Sequence, residues 1–317
     1  MHRHDAPVPH DAPAHRHAHA HPHAAARPDP GPHGLADGPH GPADASLAVM
    51  LDLDARILHG HLRELTAWVR RLARDTAGRV VVDLGAGTGT GTVALARRFD
   101  RAEVVAVDAS DPMLARVAER AVVDGLADRI RTVRADLDEG WPGLPPADVV
   151  WASLMLHEVR DPAALLARIR DGLAPGGLLA VVEMDGPPRF LPDRLDPTLG
   201  RPGLAGRLDD AVTHGGTGGP AHPDWAPWLS EAGLVDVETR TFRIDPDPAD
   251  PVAAQATLPY ARAWLTRVRD RSGDRLDADD RAALDALLDP RGPHALERTP
   301  GVRLRGTRTA YVGRRPR

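Results

Sequence analysis

A run of alternating glycines behind an acidic residue is the part of the sequence best suited to chemistry. The glycines are Gly85, Gly87, Gly89 and Gly91. They follow a short apolar stretch at 80–82 and the acid Asp83. Glycine has no Cβ, so the backbone can turn sharply there and approach a ligand closely. The residues after the glycines favour a helix, whose N-terminus offers unpaired N–H groups and partial positive charge to a carboxylate or phosphate. The pattern therefore predicts a strand, a glycine turn and a helix that bind a nucleotide-type cofactor.

Two classes of cofactor site use such a turn. A dinucleotide fingerprint, G-x-G-x-x-G, needs a third glycine three positions after the second, and Thr90 stands at that position after Gly87. A second predicted strand, 103–107, ends in Asp108, which lies 25 positions after Asp83. A carboxylate there can accept hydrogen bonds from both ribose hydroxyls of an adenosine. NAD enzymes place an acid similarly, so Asp108 does not separate the two classes by itself.

The segments downstream of the glycines occur in an order that one enzyme family uses. They are a helix at Asp111–Val123, strands at 129–134 and 147–153, and a Pro175-Gly176-Gly177 turn before a fifth strand. Residues 154–162, LMLHEVRDP, are similar to the LHHVxDP segment of that family's small-molecule members. With the acid-and-glycine motif at 83–89, the chain resembles the class I S-adenosylmethionine-dependent methyltransferases. The nearest subgroup is that of the ubiquinone/menaquinone C-methyltransferase-like enzymes.

This resemblance implies a fold and an activity. The fold is α/β and Rossmann-like, with a seven-stranded, mostly parallel sheet whose last strand is antiparallel. The implied activity is transfer of a methyl group from S-adenosylmethionine to an O or C atom of a small-molecule acceptor. Because the methyl group of a sulfonium is already activated, the enzyme mainly has to align the acceptor and exclude water. A general base is needed only for an unionised hydroxyl or a carbon acid.

The resemblance also implies which residues bind the cofactor. They are Asp83, Gly85, Gly87, Gly89, Asp108, Met113, Asp136, Leu137 and Ser153. Asp108 would accept from the ribose hydroxyls and Asp136 would meet the adenine amino group, although Asp136 could equally serve only as a turn residue. Asp83 would orient the glycine turn, alone or together with a contact to the methionine amino group. Met113 would cover adenine or belong to the ordinary core.

Residues after the fourth strand are expected to face the acceptor. Trp151-Ala152-Ser153-Leu154 stands where exocyclic-amine methyltransferases carry N/D-P-P-Y/F, so DNA bases and protein glutamine are disfavoured as acceptors. His157 is the candidate catalytic base, and its alternative is a structural histidine at a helix start. Glu158 is a second candidate base, and Glu183 and Asp185, after the fifth strand, border the same cleft and are expected to contact the acceptor. Asp161 before Pro162 indicates a helix N-cap.

Composition divides the chain into three regions. Residues 1–45 are rich in His, Pro, Ala and Gly and are predicted to be disordered, because they bury too little apolar surface to offset ordering entropy. Residues 46–78 carry apolar side chains at helical spacing and predict a helical cap over the cofactor site. The remainder, 79–317, is the predicted methyltransferase domain. It comprises a core at 79–183, an irregular connection or substrate lid at 184–222, and C-terminal strands with a helical insertion at 223–313. Within the last part we expect a helix at 225–232, strands at 234–244 and 302–312, and added helical structure at 251–288.

The amino-acid composition excludes several classes of chemistry. The chain has no cysteine and no lysine, so thiol nucleophiles, thiolate metal sites and Schiff-base lysines are absent. The net charge of -5 does not indicate nucleic acid as a partner. No apolar run is long enough for a membrane span and the N-terminus lacks a signal-peptide core, so we expect a cytoplasmic protein.

The N-terminal arm carries a separate metal-binding hypothesis. Five histidines alternate in it: His15, His17, His19, His21 and His23. Imidazole suits zinc, nickel and copper ions, and alternate side chains of an extended chain lie on one side. Weak divalent metal binding competes here with a solvated tail that gains charge as the pH falls through about 6.5. No metal ligands are predicted in the rest of the chain.

Two alternatives to the methyltransferase remain open from sequence. The first is an NAD-type oxidoreductase, which shares the strand, glycine turn and helix with Asp108. The second is a non-catalytic protein that binds the cofactor or a metal. Thr90 and the strand behind the Pro-Gly-Gly turn argue against the first alternative, and binding without methyl transfer would favour the second.

Overall fold

The computed structural model describes residues 42–213 and 223–317. In these ranges the strands are β1 Val80–Leu84, β2 Glu103–Asp108, β3 Ile130–Arg134, β4 Ala147–Ser153, β5 Leu173–Met184, β6 Val235–Ile244 and β7 Gly306–Arg314. The helices are α1 Pro42–Ile57, α2 His59–Leu72, α3 Thr90–Arg98, α4 Asp111–Val123, α5 Pro162–Gly172, α6 Leu204–Val212, α7 Trp225–Glu231, α8 Pro251–Ser272 and α9 Ala278–Leu288. Residues 1–41 and 214–222 lie outside the described residues, whereas the last four residues of the predicted disordered arm, 42–45, belong to α1.

The described strands form one sheet in the order β3-β2-β1-β4-β5-β7-β6. Neighbouring strands from β3 to β5 pair in parallel, whereas β7 is antiparallel to both β5 and β6. The order reverses at β1, with β2 on one side and β4 on the other. In open α/β sheets ligands bind outside the carboxyl ends of the strands at such a switch point. The predicted seven-stranded sheet with an antiparallel last strand is confirmed.

Apolar side chains on both faces of the sheet explain why its central strands read as valine-rich runs. One face packs against α2 and α3 through residues such as Val81, Trp68 and Leu95, and the other packs against α5 and α7 through residues such as Val82 and Leu165. Strands covered on both faces are apolar throughout rather than alternating. The glycine turn therefore follows directly on β1, a strand that is buried on both faces of the sheet.

The first half of the sheet matches the expected elements closely because each element carries its own start and stop signals. Helix α4 has the predicted bounds, and its apolar residues Met113, Leu114, Val117 and Ala121 are buried. The Ser110 side chain caps it by accepting from the Met113 N–H. Asp161 caps α5 in the predicted way, accepting from the Ala164 N–H at 2.9 Å.

The second half of the chain departs from the expectations. The region predicted as an irregular connection contains helix α6, whose leucines pack against α8 and α9. The expected helical segment at 251–288 is divided into α8 and α9 by a 3-10 turn at Gly273–Arg275. The last strand begins at Gly306 rather than at 302, and β5 already includes the Pro-Gly-Gly residues. Burial between helices distant in sequence decides these bounds, and a local pattern does not contain that information.

No helix within the described residues has both the length and the apolar character needed to cross a bilayer.

Candidate active site

The glycine turn follows β1 and can be built only from glycine at several positions. Gly85, Gly87 and Gly89 have φ angles of +65°, +52° and +84°, a region that side chains disfavour. A Cβ on Gly85 would lie 2.8 Å from the Met155 Cβ, and one on Gly89 would lie 3.0 Å from the Val117 Cα. The three predicted glycines thus line a turn whose surface is bare backbone.

Helix α1 lies over this turn. A Cβ on Gly87 would be 3.1 Å from the Leu51 Cδ1 atom of α1. One residue further along α1, the Asp52 carboxylate pairs with Arg120 at 2.8 Å and with Arg116 at 3.3 Å, both on α4. The expected N-terminal helices therefore cover the edge of the sheet where the cofactor is predicted.

Asp83 is buried beneath the turn rather than exposed to a ligand. Asp83 is only 2 % exposed, and its Oδ2 accepts a hydrogen bond from the Thr92 hydroxyl at 2.6 Å. Burial raises the pKa of Asp83 to about 7, although the hydrogen bond from Thr92 opposes this change. Of the two expected roles, the geometry supports orientation of the turn. Sequence reasoning missed Thr92, for which the only signal was a hydroxyl in the first turn of the following helix.

Asp108 joins the glycine turn to the start of α4. Its Oδ2 accepts from the Gly87 N–H at 2.9 Å and its Oδ1 accepts from the Ser110 N–H at 2.9 Å. Each carboxylate oxygen has more than one acceptor site, so these bonds leave capacity for ligand hydroxyls. Asp108 is partly exposed at the end of β2. It lies at the carboxyl end of β2, where the sequence predicts a ribose contact.

The predicted adenine-binding residues lie beyond β3 and on α4. Met113 and Leu137 are buried, at 4 % and 8 % exposure. Asp136 is exposed and its Oδ1 accepts from the Asp138 N–H at 2.9 Å, which is the bonding of a turn residue. The exposed carboxylate also remains available for an amino group.

Backbone strain marks the end of β4. Leu154 has a φ of +56°, one of two such values among non-glycine residues in the described ranges. Strain of this kind persists only where surrounding contacts enforce it, and here the Leu154 N–H donates to the Val182 carbonyl on β5 at 2.8 Å. Half-buried Ser153 precedes it. The strained residue directs the following 3-10 turn, Leu156–Glu158, across the end of β5.

His157 lies between two carboxylates in this 3-10 turn. Its Nδ1 is 2.9 Å from Glu183 Oε2, and its Nε2 is 3.2 Å from Glu158 Oε1. Glu183 is only 1 % exposed and its other oxygen accepts from the Leu156 N–H at 3.1 Å. Burial alone would lower the pKa of His157, but the hydrogen bonds and charges of Glu158 and Glu183 outweigh it and raise the pKa to about 10.

This arrangement favours a positioning role for His157, and its expected role as a base stays a prediction. The two carboxylates raise the pKa of His157 to about 10, which favours the protonated ring, and a protonated ring has no lone pair to accept a proton. The carboxylates of Glu158 and Glu183 are among the partners of His157, and the alternative of a structural histidine bonded to backbone also stays a prediction. Among the expected acidic neighbours, Glu158 and Glu183 meet at His157, whereas Asp185 forms a backbone bond to Thr307 at 3.2 Å.

Comparison with known proteins identifies the family. A family model described as "Methyltransferase domain" matches residues 82–179. Trans-aconitate 2-methyltransferase of Mycobacterium sp. (strain KMS) is 34 % identical over 221 residues, which are 68 % of this chain and 81 % of that enzyme. The chain belongs to the class I S-adenosylmethionine-dependent methyltransferases. Its cofactor is S-adenosylmethionine.

Further methyltransferases are similar to this chain, with lower sequence identity or over a shorter stretch. Trans-aconitate 2-methyltransferase of Methylobacterium radiotolerans is 31 % identical over 68 % of this chain and 73 % of that enzyme. The enzyme of that name from Azoarcus sp. is 37 % identical over 118 residues, which span 35 % of this chain and less than half (44 %) of the relative. A putative methyltransferase structure from Bacillus halodurans has a TM-score of 0.47 and 16 % identity, covering 80 % of this chain and 99 % of that chain. Scores below 0.5 do not establish a shared fold, which here follows from the strand order.

The methyltransferase assignment excludes the NAD-type oxidoreductase and the non-catalytic alternative. The finer resemblance to the ubiquinone/menaquinone C-methyltransferase-like subgroup stays a prediction. Within the described part of this methyltransferase, no group of three or more His, Cys, Asp or Glu side chains is arranged to hold a metal ion.

The residues at the switch point fit S-adenosylmethionine. Gly85, Gly87 and Gly89 form a turn that no other residue could build, because a Cβ there would collide with neighbouring residues, and the turn lies at the switch point. The Asp108 carboxylate suits ribose hydroxyls, and the apolar pair Met113 and Leu137 suits an aromatic base. These groups line the carboxyl ends of β1, β2 and β3, where the fold places ligands.

Proposed function

We propose that this methyltransferase esterifies a carboxylate oxygen of a small-molecule acceptor. The observation that carries the proposal is the position of His157 between two carboxylates, Glu183 at 2.9 Å and Glu158 at 3.2 Å. Both raise the pKa of His157, the candidate base at the acceptor end of the site, so the protonated form is favoured at neutral pH. An acceptor that is already ionised needs no base, and carboxylates are ionised at neutral pH.

The proposed reaction needs no proton transfer. A carboxylate oxygen supplies its lone pair to the methyl carbon, and a C–O bond forms while the methyl–sulfur bond breaks. The electron pair of the broken bond stays on sulfur, which loses its positive charge. Bound S-adenosylmethionine supplies the activated methyl group, and the protein's contribution is alignment and exclusion of water.

We further propose the following roles for the site residues. The backbone of Gly85, Gly87 and Gly89 holds the methionine part of the cofactor, with Asp83 and Thr92 fixing the turn from below. Asp108 accepts from the ribose hydroxyls, and the remaining predicted contacts are Met113, Asp136, Leu137 and Ser153. His157 positions the end of β4 by joining Leu154–Glu158 to Glu183 of β5.

The names of the relatives support a carboxylate acceptor. Trans-aconitate carries three carboxylates and no hydroxyl, so an enzyme that methylates it has no acceptor hydroxyl to deprotonate. The match to one relative of this name covers 68 % of this chain and 81 % of that enzyme. Transfer to a carbon atom, which the resemblance to C-methyltransferases implies, would require a base, and the protonated form of His157 cannot serve as one.

The first prediction concerns the product. We expect the enzyme to convert trans-aconitate, or another small carboxylate in a panel, to a product one methyl group heavier by mass spectrometry. A methyl ester releases methanol in mild alkali, whereas an ether or a C-methyl product does not. The panel should include a phenol and an activated methylene compound as matched acceptors that need a base.

The control is the Asp108→Ala variant, which we expect to lose at least tenfold in affinity for S-adenosylmethionine because it removes the ribose acceptor. An alkali-stable product formed from the phenol or the carbon acid would contradict the carboxylate proposal. Methyl transfer that Asp108→Ala leaves unchanged would contradict the proposed cofactor contacts.

A further inference from the structure

Arg267 on α8 is an arginine without a partner. It is half-buried, yet it makes no hydrogen bond or ion pair with any residue in the described ranges. Every other arginine of those ranges is either exposed or bound to a carboxylate or a carbonyl. Arg262 and Arg269 on the same helix show the usual pattern, since they bind Glu297 at 2.6 Å and Asp270 at 2.9 Å. A shielded guanidinium with five donors and no acceptor is unusual, because desolvation is then not repaid by bonding.

The position of Arg267 along α8 directs it toward the catalytic edge of the sheet. Seven residues separate it from Tyr260, which is close to two helical turns, so the two side chains leave the same face of α8. The Tyr260 hydroxyl donates to Asp54 of α1 at 3.1 Å, and Asp54 also accepts from Arg308 of β7 at 2.7 Å. This face of α8 is therefore the one that meets α1 and the start of β7.

The start of β7 lies beside the proposed acceptor site. Arg308 pairs across the sheet with Met184, and the next residue, Thr309, pairs with Glu183. Glu183 holds His157. Arg267 thus lies on the helix face that looks toward the strand ends where His157 and the strained Leu154 are found.

Charges around Arg267 leave it able to accept an anion. Burial lowers the pKa of Arg267, the charge of Arg271 lowers it further, and the charge of Glu158 raises it. Glu158 is already engaged with His157 at 3.2 Å. Arg267 therefore has no carboxylate within ion-pair distance among the described residues, and an anionic ligand would supply one.

We propose that Arg267 binds a second, non-reacting carboxylate of the acceptor and thereby selects di- and tricarboxylates over monocarboxylates. The inference rests on the proposed function for the identity of the reacting group. The planar fork of an arginine matches a carboxylate with two parallel hydrogen bonds, which fixes orientation as well as affinity. Binding the second carboxylate would hold the first one in place for methyl transfer.

The test measures binding without turnover. Full-length protein saturated with S-adenosylhomocysteine, which has no methyl group to donate, is titrated calorimetrically with tricarballylate and separately with crotonate, a monocarboxylate. We expect Arg267→Gln to weaken tricarballylate binding by about 10- to 100-fold and to leave the affinity for S-adenosylhomocysteine unchanged. Crotonate affinity should change by less than about threefold. Arg267→Lys, which retains the charge but not the fork, should recover only part of the loss.

Arg168→Gln is the matched control, because Arg168 is exposed on α5 and has no ion pair among the described residues. Unchanged tricarballylate binding in Arg267→Gln, equal losses for both ligands, or no tricarballylate binding to the unmodified protein would overturn the inference. If esters form but Arg267→Gln has no effect, only this inference fails. If tricarballylate binding depends on Arg267 but no ester forms from any carboxylate, the proposed reaction fails and the anion site stands.

Discussion

At the scale of single residues, the site depends on ionisable groups whose charge states are set by neighbours. The raised pKa of Asp83, about 7 instead of 3.8, means that burial disfavours its ionised form by roughly 4 kcal/mol. The imidazole of His157 shows the opposite balance, because two carboxylates overcome its burial. Asp83 thus gains or loses its proton near neutral pH, whereas the proton of His157 is retained there.

The charge of His157 predicts a pH dependence of activity and stability. Because its pKa is raised to about 10, kcat should show no rise between pH 6 and 8 from loss of a histidine proton. The folded pKa lies above the unfolded value of 6.5, so the stabilisation is complete below pH 6.5 and is lost as the pH rises through about 10. We expect His157→Gln to lower the free energy of unfolding at pH 6 by ~1–3 kcal/mol, by less at pH 9.

Urea unfolding at several pH values, with steady-state kinetics alongside, checks both statements. Glu158→Gln is the comparison variant, since Glu158 is more exposed than Glu183 and its loss should have the smaller effect on stability. A kcat that rises through pH 6.5 in the unmodified enzyme and is flat in His157→Gln would restore the base role.

At the scale of secondary-structure elements, helix α1 is held over the glycine turn by two acids of different burial. Asp54 pairs with Arg308, and their side chains are only 15 % and 11 % exposed. Asp52 pairs with Arg116 and Arg120, where all three side chains are about a third or more exposed. Removing one partner of a buried pair leaves an uncompensated charge, whereas solvent screens an exposed pair.

This contrast predicts unequal effects of two substitutions on the same helix. Asp54→Ala should lower the free energy of unfolding by about 3–5 kcal/mol, because it leaves Arg308 buried without its partner. Asp52→Ala should lower it by only ~0.2–1 kcal/mol. Urea unfolding of the two variants measures both values, and equal losses would show that burial does not set the strength of these contacts.

At the scale of the whole molecule, the sheet order brings the cofactor and acceptor groups to one edge. Strands β1 and β2 end at the glycine turn and Asp108, while β4 and β5 end at Leu154 and Glu183. The order β3-β2-β1-β4-β5 makes the two pairs neighbours. Binding there should stabilise the fold, because a ligand that binds only the folded state adds to its free energy of unfolding.

We therefore expect S-adenosylhomocysteine at 100 times its Kd to stabilise the protein by about 2.7 kcal/mol, seen as a rise in Tm of roughly 4–5 °C. Differential scanning calorimetry measures the shift, and NADH at equal concentration serves as the control that should give none. Asp108→Ala, with an affinity at least tenfold lower, should reduce the shift at the same ligand concentration to about half or less, measured against that variant's own Tm without ligand. A rise in Tm with NADH and not with S-adenosylhomocysteine would contradict S-adenosylmethionine as the cofactor of this protein.

Much of the first half of the fold was predictable because its signals are local. Helix α4 was predicted with its bounds and buried stripe, since the apolar spacing and the cap lie within one short window. The prediction of an irregular connection at 184–222 was wrong where α6 forms. That helix is stabilised by leucines of α8 and α9, which lie far along the chain. The positions of the glycines and Asp108 could be predicted for the same local reason, but their contacts could not.

The sequence by itself determined the glycine turn, the order of strands and helices around it, and the acid at the end of β2. These follow from side-chain periodicity and turn chemistry, which act between residues a few positions apart. Only the tertiary structure decided that His157 lies between two carboxylates, that α1 is held through Asp54, and that Arg267 has no hydrogen bond or ion pair among the described residues. Each of these depends on side chains from different elements, and electrostatic interactions follow distance in space rather than separation along the chain.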